Sequence, residues 1–242
     1  MTTLVVGASG ATGRLLVAQL LERGQRVKVI VRSPEKLPND LKSHPSLSIF
    51  HATLHELSED DLVQHVGGCT AIASCLGHNL TLRGMYGPPR RLVADATQWL
   101  CEAARSARPP RPVKFVLMNS AGNPNPDLDE PISVGQRCAI GLVRVLLPPH
   151  VDNELAADYL RTQVGQRARA VEWVAVRPDS LIDADEVTAY EVHPSPTRSA
   201  VFNAGKTSRI NVAHFMAELI TNDATWNQWK GQMPVIYNEG YA

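Results

Sequence analysis

The sequence predicts an α/β protein with a doubly wound, mostly parallel sheet and a small lobe contributed by the residues from about 179 onward. Three observations carry this expectation. Short, β-branched apolar runs alternate with amphipathic helical stretches along most of the 242 residues, the pattern of successive βαβ units. The runs lack the polar alternation of a half-solvated sheet, so helices must cover both faces. The first run passes directly into a glycine-rich turn that opens a helix. A hydrophobic fraction of 44% is ordinary for one globular unit of this length, so residues 1–242 are expected to form a single domain.

Thr3-Leu4-Val5-Val6 reads as the first strand, and Val6-Gly7-Ala8-Ser9-Gly10-Ala11-Thr12-Gly13-Arg14 as the turn after it. Leu15, Leu16, Ala18, Leu20 and Leu21 continue into a helix that Gly24 closes. Each glycine has a physical use: a tight turn, close backbone approach to a phosphate, and close packing of helix on strand. The unpaired N–H groups and partial positive charge of a helix N-terminus add an anion site. Residues 25–31 form a second strand and complete a βαβ unit of about 30 residues. Glycine turns of this spacing also join strands and helices that bind nothing. The complete unit favours a dinucleotide cradle made by Gly7, Ser9, Gly10, Ala11, Thr12 and Gly13.

The residues after the second strand select the cofactor. A site for the 2′-hydroxyl form offers an acidic side chain there, whereas this chain offers Arg32, Ser33 and then Lys36. A guanidinium forks onto a phosphate and a serine donates to it, so NADP(H) is favoured over NAD(H). The plainer alternative is a solvated loop edge.

The Gly-Ala-Ser-Gly-Ala-Thr-Gly turn, the segment Val31-Arg32-Ser33-Pro34-Glu35-Lys36-Leu37 and Val174-Ala175-Val176-Arg177-Pro178 resemble the atypical short-chain dehydrogenase/reductases. The likeness is greatest to the NAD(P)H-binding branch that holds flavin/biliverdin reductase-like and NmrA-like proteins. It implies a Rossmann fold. It also implies an Asp after the third strand, beside the adenine; here residues 47–51 are the strand and Thr53 and Leu54 stand at that place. His51 and His55 are four apart, but a strand end does not put them on one face, and no metal is expected.

Residues 56–66 read as a short helix and residues 70–77 as the fourth strand and its exit. Cys75, Leu76 and Gly77 are then expected under the cofactor, at the crevice where strand order reverses. The loop of residues 78–89 borders that crevice or is plain surface. A helix over 91–105 and a proline-stiffened connector lead to the fifth strand, residues 113–118. That strand delivers Asn119-Ser120-Ala121-Gly122 to the same edge, with Asn119 expected to contact the cofactor. The resemblance makes Ser120 the candidate for the acceptor's carbonyl oxygen; a common Ser-Ala-Gly turn is the alternative. Residues 123–131 look like a mobile flap. Residues 140–147 are apolar enough for a buried helix or a pocket wall.

Family members of the ordinary kind carry a Tyr and a Lys four residues apart on the next helix, expected here from about Val151. Pro149 and Asn153 fall at those places. His150 is the remaining candidate proton donor, with a helix-entry histidine pointing to water as the plainer alternative, and Asp152 suits an N-cap of the same helix. Residues 170–178 are the sixth strand, whose Pro178 passes the nicotinamide side. Residues 188–193 suit a strand of the lobe, residues 208–214 lead into a helix, and residues 234–238 form the last strand.

Composition excludes some partners. Lys+Arg and Asp+Glu both number 24, leaving no overall field for nucleic acid or an anionic membrane. The longest apolar stretch, residues 138–149, contains Arg144 and is too short to cross a bilayer. Cys69, Cys75, Cys101 and Cys138 show no metal spacing and no disulfide framework, which fits a reducing, cytoplasmic setting. The cofactor site and the family resemblance together imply an NADPH-dependent reductase of a small carbonyl, quinone or flavin-like acceptor, or a dinucleotide sensor that signals to a protein partner; a nucleotide-sugar epimerase or dehydratase shares the fold but would also expect the Tyr/Lys pair.

Overall fold

The computed structural model describes residues 1–78, 81–130 and 133–240. The first half runs β1 (Thr2–Val6), α1 (Ala11–Glu22), β2 (Arg26–Val31), α2 (Asn39–Lys42), β3 (Leu47–His51), α3 (Glu59–Val66), β4 (Ala71–Ser74), α4 (Leu82–Tyr86), α5 (Leu92–Ser106) and β5 (Val113–Met118). The second half runs α6 (Val134–Leu146), α7 (Pro148–Asp158), β6 (Val171–Pro178), β7 (Ser180–Ile182), β8 (Tyr190–His193), β9 (Lys206–Ser208), α8 (Arg209–Thr221), α9 (Asp223–Trp229) and β10 (Val235–Asn238). The main sheet has eight strands in the order β3-β2-β1-β4-β5-β6-β10-β8. All neighbours pair parallel except β8, which runs antiparallel to β10.

Strand residues alternate between two apolar cores, as a period of two dictates. Leu4, Val6, Ile72, Phe115, Leu117, Trp173 and Ala175 pack with α3, α5 and α7 on one face. Val5, Val29, Ala73, Val116, Val174 and Val176 pack with α1 and α8 on the other. Polar links add to this packing: Gln19 Nε2 donates to the Ile210 carbonyl at 3.1 Å, and Arg23 pairs with Glu218 at 3.1 Å, joining α1 to α8.

Several expectations change here. β8 is an edge strand of the main sheet, because Val192 and Tyr190 bury their apolar bodies against the α1/α8 core. β7 and β9 make a separate parallel pair, Ser180 opposite Lys206 and Ile182 opposite Ser208. α8 returns to the core, with Val212, Phe215, Met216 and Leu219 buried. The apolar segment near 140–147 belongs to α6, whose buried residues are Gln136 and Ile140. Leu142, Val145 and Leu146 are exposed, so this is no buried helix.

Candidate functional site

The crevice lies at the carboxyl ends of β1, β4, β5 and β6, where β1 is flanked by β2 on one side and β4 on the other. Its floor is the glycine turn. Gly7 has φ +75°, and a Cβ there would stand 2.5 Å from the Cys75 carbonyl carbon and oxygen. A Cβ on Gly13 would collide with the Gly7 carbonyl oxygen. The Gly10 N–H donates to that oxygen at 3.0 Å, and the Arg14 N–H donates to the Gly10 carbonyl at 3.0 Å as the first helical bond. Gly10 caps α1 without a side chain, and the first turn holds no acidic residue. The early N–H groups, Ala11 and Thr12 among them, are thus left for an outside acceptor, beside Ser9. A Cβ at Gly7 or Gly13 would displace the backbone that shapes this turn, so the glycines are what allow it; the residues fit a dinucleotide's pyrophosphate.

At the end of β2, Arg32 is exposed and forms no ion pair with a described residue. Its carbonyl faces His51 Nε2 at 3.1 Å. Lys36 is exposed and Ser33 half-buried. One group here escaped the sequence reading. The Glu35 carboxyl sits below the usual carboxylate range, held by its own backbone N–H and, against a small burial effect, by Ser33, Lys36 and His51. Ser33 is therefore shared with a carboxylate. Thr53 precedes a single helical turn, Leu54–Glu56, in which Leu54 is buried.

On the other side of β1, the Cys75 N–H donates to the Val6 carbonyl at 2.9 Å, fixing the β4 exit against the glycine turn. Burial pushes the Cys75 thiol up to about 12, which makes it a wall rather than a nucleophile. Leu76 is half-buried and Gly77 exposed at the crevice rim.

β5 and α7 bring the acceptor-side candidates together. The Asn119 side chain is occupied internally: Nδ2 donates to the Asn153 carbonyl at 2.9 Å, and Oδ1 accepts from the Ser120 N–H at 2.8 Å. The Ser120 hydroxyl oxygen accepts from the Gly122 N–H at 3.2 Å, which leaves its own proton available. A Cβ on Gly122 would stand 3.5 Å from Ser120 Oγ and 3.7 Å from His150 Cε1. The glycine thus opens the space that serine and histidine flank. His150 Nε2 lies 3.2 Å from Glu154 Oε1 and is buried without a hydrogen-bond partner among the described residues. Arg144 Nε donates to both Glu154 oxygens, at 3.0 and 2.9 Å. Burial raises the Glu154 carboxyl, but His150 and Arg144 outweigh it and hold the group below its usual range. Asn153 donates back to the Pro149 carbonyl at 3.0 Å, one turn along α7. Pro178 enters by its backbone, its carbonyl accepting the Ala121 N–H at 2.9 Å. Beside Gly122, a recess of about 10 Å³, room for one water, is lined by Ala121, Pro124, Glu130, Ile140 and Arg198.

Two buried polar links hold these pieces, and neither has a local signature. Arg177 is fully buried and uses all five N–H groups: Nε to the Met233 carbonyl (2.6 Å), Nη1 to the Asn123 carbonyl (2.9 Å) and Glu130 Oε2 (3.2 Å), Nη2 to Glu130 Oε1 (2.7 Å) and the Pro194 carbonyl (3.2 Å). The Asn125 N–H adds a third bond to Glu130. The expected mobile flap is therefore corrected: residues 123–130 are anchored, because Asn123, Asn125 and Glu130 are all buried in this network. Pro131 lies outside the described residues.

The second link corrects Asp152. α7 starts at Pro148, so Asp152 sits inside it and caps another helix: its carboxylate accepts the Val93 and Ala94 N–H groups of α5 at 2.8 and 2.9 Å. His78 closes on the same carboxylate, Nε2 to Oδ2 at 2.7 Å. Of the expected crevice loop, Asn79 and Leu80 lie outside the described residues, while α4 occupies the segment that follows.

Residues 7–223 match the NAD(P)H-binding protein family. An uncharacterized chloroplast protein of Arabidopsis thaliana is 41% identical over 71 residues, a stretch covering 29% of this chain and 25% of that one. The chain therefore spans only about a quarter of that relative. An oxidoreductase of Lactococcus lactis superposes with a TM-score of 0.69 at 17% identity, over 100% of this chain and 93% of its own. A short-chain dehydrogenase/reductase of Veillonella parvula, solved in complex with NADP, gives 0.71 at 14% identity, over 99% and 95%. With the glycine cradle in place and the family match running from Gly7 past the end of α8 to the first residue of α9, the chain belongs to the NAD(P)H-binding family.

Proposed function

We propose that the protein is an NADPH-dependent reductase of a small carbonyl, quinone or flavin-like acceptor, working without a Tyr/Lys pair. The observation that carries this reading is the space kept open by Gly122 between Ser120 Oγ and His150 Cε1. It sits at the end of β5, beside the strand exits that border the glycine cradle. When bound, the cofactor would supply a hydride. Gly7 to Gly13 and the α1 N-terminus would hold its pyrophosphate, Arg32, Ser33 and Lys36 would take its 2′-phosphate, Thr53 and Leu54 would serve the adenine, and Cys75, Leu76 and Gly77 would form the β4 side.

Ser120 donates its hydroxyl proton as a hydrogen bond to the acceptor oxygen, polarising the bond that is reduced. As negative charge develops on that oxygen, His150 in its protonated form delivers a proton to it and takes a replacement from solvent. Glu154, held by Arg144, lies beside the imidazole as its nearest carboxylate. Asn119 and Asn153 serve as struts, since their side chains are committed to backbone carbonyls.

A second reading, a dinucleotide sensor of the NmrA-like kind that signals to a protein partner, is favoured by one observation. Pro149 and Asn153 occupy the α7 positions at which the ordinary chemistry would need Tyr and Lys.

Arg32→Glu tests the cofactor assignment. An exposed guanidinium bonded to a phosphate contributes about 1.5–3 kcal/mol, so NADPH affinity should fall roughly 10- to 150-fold while NADH affinity stays within about threefold. Equal losses for the two cofactors remove the 2′-phosphate argument. Turnover of NADPH with a panel of quinones, aldehydes and flavins supports the reductase; tight binding with no turnover across the panel supports the sensor.

A further inference from the structure

We infer that the cleft between α3 and α5 binds a small organic cation, a protonated amine carried on a short apolar body. The cleft has a volume of about 300 Å³ and is lined by His55, Leu57, Glu59, Leu62, Trp99 and Glu102. Small-molecule sites run from roughly 300 to 1,000 Å³, so this one admits a ligand of a few rings or fewer and not a dinucleotide. Its lining includes no residue assigned above to the cofactor or the acceptor.

The wall combines an aromatic ring with two carboxylates that no cation of the chain answers. On α5, Trp99, Glu102 and Ser106 follow one another at helical spacing and share one stripe. Ser106 Oγ donates to Glu59 Oε1 at 3.4 Å, which brings the first residue of α3 to that stripe, one turn from Glu102. Glu102 Oε1 accepts from Gln98 Nε2 at 2.9 Å. Each carboxylate thus meets one neutral donor, and among the described residues neither has an ion pair. Arg105, the one cation of α5, is committed elsewhere, its Nη2 donating to the Gln163 carbonyl at 3.2 Å. Trp173, Trp226 and Trp229 are buried, whereas Trp99 is half-buried, packing in part on the core and lining the cleft. The face of an indole attracts a cation, the more so where water is displaced. Leu57 and Leu62 offer the ligand's body an apolar surface. An ammonium group relieves the repulsion between the carboxylates, an anion adds to it, and an uncharged ligand gains the apolar contact alone.

The site depends on neither the reductase nor the sensor reading, so the full chain is titrated without cofactor. The probes are phenethylamine and its uncharged isostere phenethyl alcohol, followed by calorimetry and by tryptophan fluorescence. The amine should saturate and bind about tenfold or more tightly than the alcohol, a margin that narrows in high salt. The double variant Glu59→Gln/Glu102→Gln keeps an amide oxygen for Ser106 and Gln98 to donate to; it should melt like wild type and bring the amine down to the affinity of the alcohol. Trp99→Leu should weaken the amine about tenfold, by loss of the ring face. Equal affinities for amine and alcohol in wild type reduce the cleft to an apolar groove and overturn the inference. A double variant that still prefers the amine, or an unchanged amine affinity in Trp99→Leu, assigns the cation to another surface and also overturns it. So does the lack of saturable amine binding up to about 10 mM.

Discussion

Glu130→Gln gives the sharpest test of how the acceptor side is held together. The Glu130 and Arg177 side chains are 2% and 0% exposed, and the carboxylate accepts from Arg177 Nη1, Arg177 Nη2 and the Asn125 N–H. A glutamine keeps the volume but has one carbonyl oxygen, and its NH₂ group then faces N–H donors. Breaking a buried pair while leaving its partner charged costs about 3–5 kcal/mol. The retained oxygen puts this variant at the lower end, about 3 kcal/mol. For a chain of 242 residues, with about 2–4 °C per kcal/mol, the melting temperature should fall by roughly 6–12 °C. Calorimetry measures the fall, and amide exchange at Asn125 should rise more than exchange in α1. A fall under about 2 °C would refute the reasoning, because it would mean that the guanidinium is satisfied by the Met233, Asn123 and Pro194 carbonyls alone.

Gly122→Ala should keep the fold, since its Cβ meets only ordinary contacts at 3.5 and 3.7 Å. NADPH binding should be unchanged while acceptor turnover drops about tenfold or more, the effect of one misplaced contact at a reacting group; steady-state kinetics beside cofactor titration checks this. Among the thiols, Cys138 is exposed, whereas burial raises Cys69, Cys101 and, to about 12, Cys75. Alkylation at neutral pH followed by mass spectrometry should label Cys138 first, and early labelling of Cys75 would contradict the packed β4 exit. Glu154 has a lowered folded-state pKa, so its stabilisation is present above the unfolded carboxylate value and is lost as pH falls through the lower folded one. Glu154→Gln should therefore lose less stability than wild type between about pH 5 and pH 3, and parallel melting curves would show the carboxylate to be uncoupled.

The parts legible in sequence were those set by neighbours along the chain. The Gly7–Gly10–Gly13 spacing, the apolar run before it and the strand after it sufficed to locate the cradle, since each need is met within one βαβ unit. Ser120, two residues past the end of β5, came from the family resemblance rather than from any local pattern. Asp152 shows where local reading stops: its residue type announced a cap, but the capped helix begins 60 residues earlier, at Leu92. Pairing between distant loops has no period, so neither His78 with Asp152 nor Arg177 with Glu130 was visible. Pro124 and Pro126 read as loop punctuation, and only tertiary packing turns that loop into an anchored one. The residues after 179 mislead for a related reason, because Tyr190 and Val192 find their partners on β10, more than 40 positions further on.

The contact between Gly7 and the Cys75–Leu76 backbone bears on how this scaffold can be re-engineered. With no space for even a methyl group between them, the first turn and the fourth strand's exit are two halves of one moulding. A phosphate turn grafted from another protein will therefore seat only if it keeps a glycine at position 7, because the atoms it meets are main-chain atoms of Cys75 and Leu76 that no exchange of side chains at those positions removes.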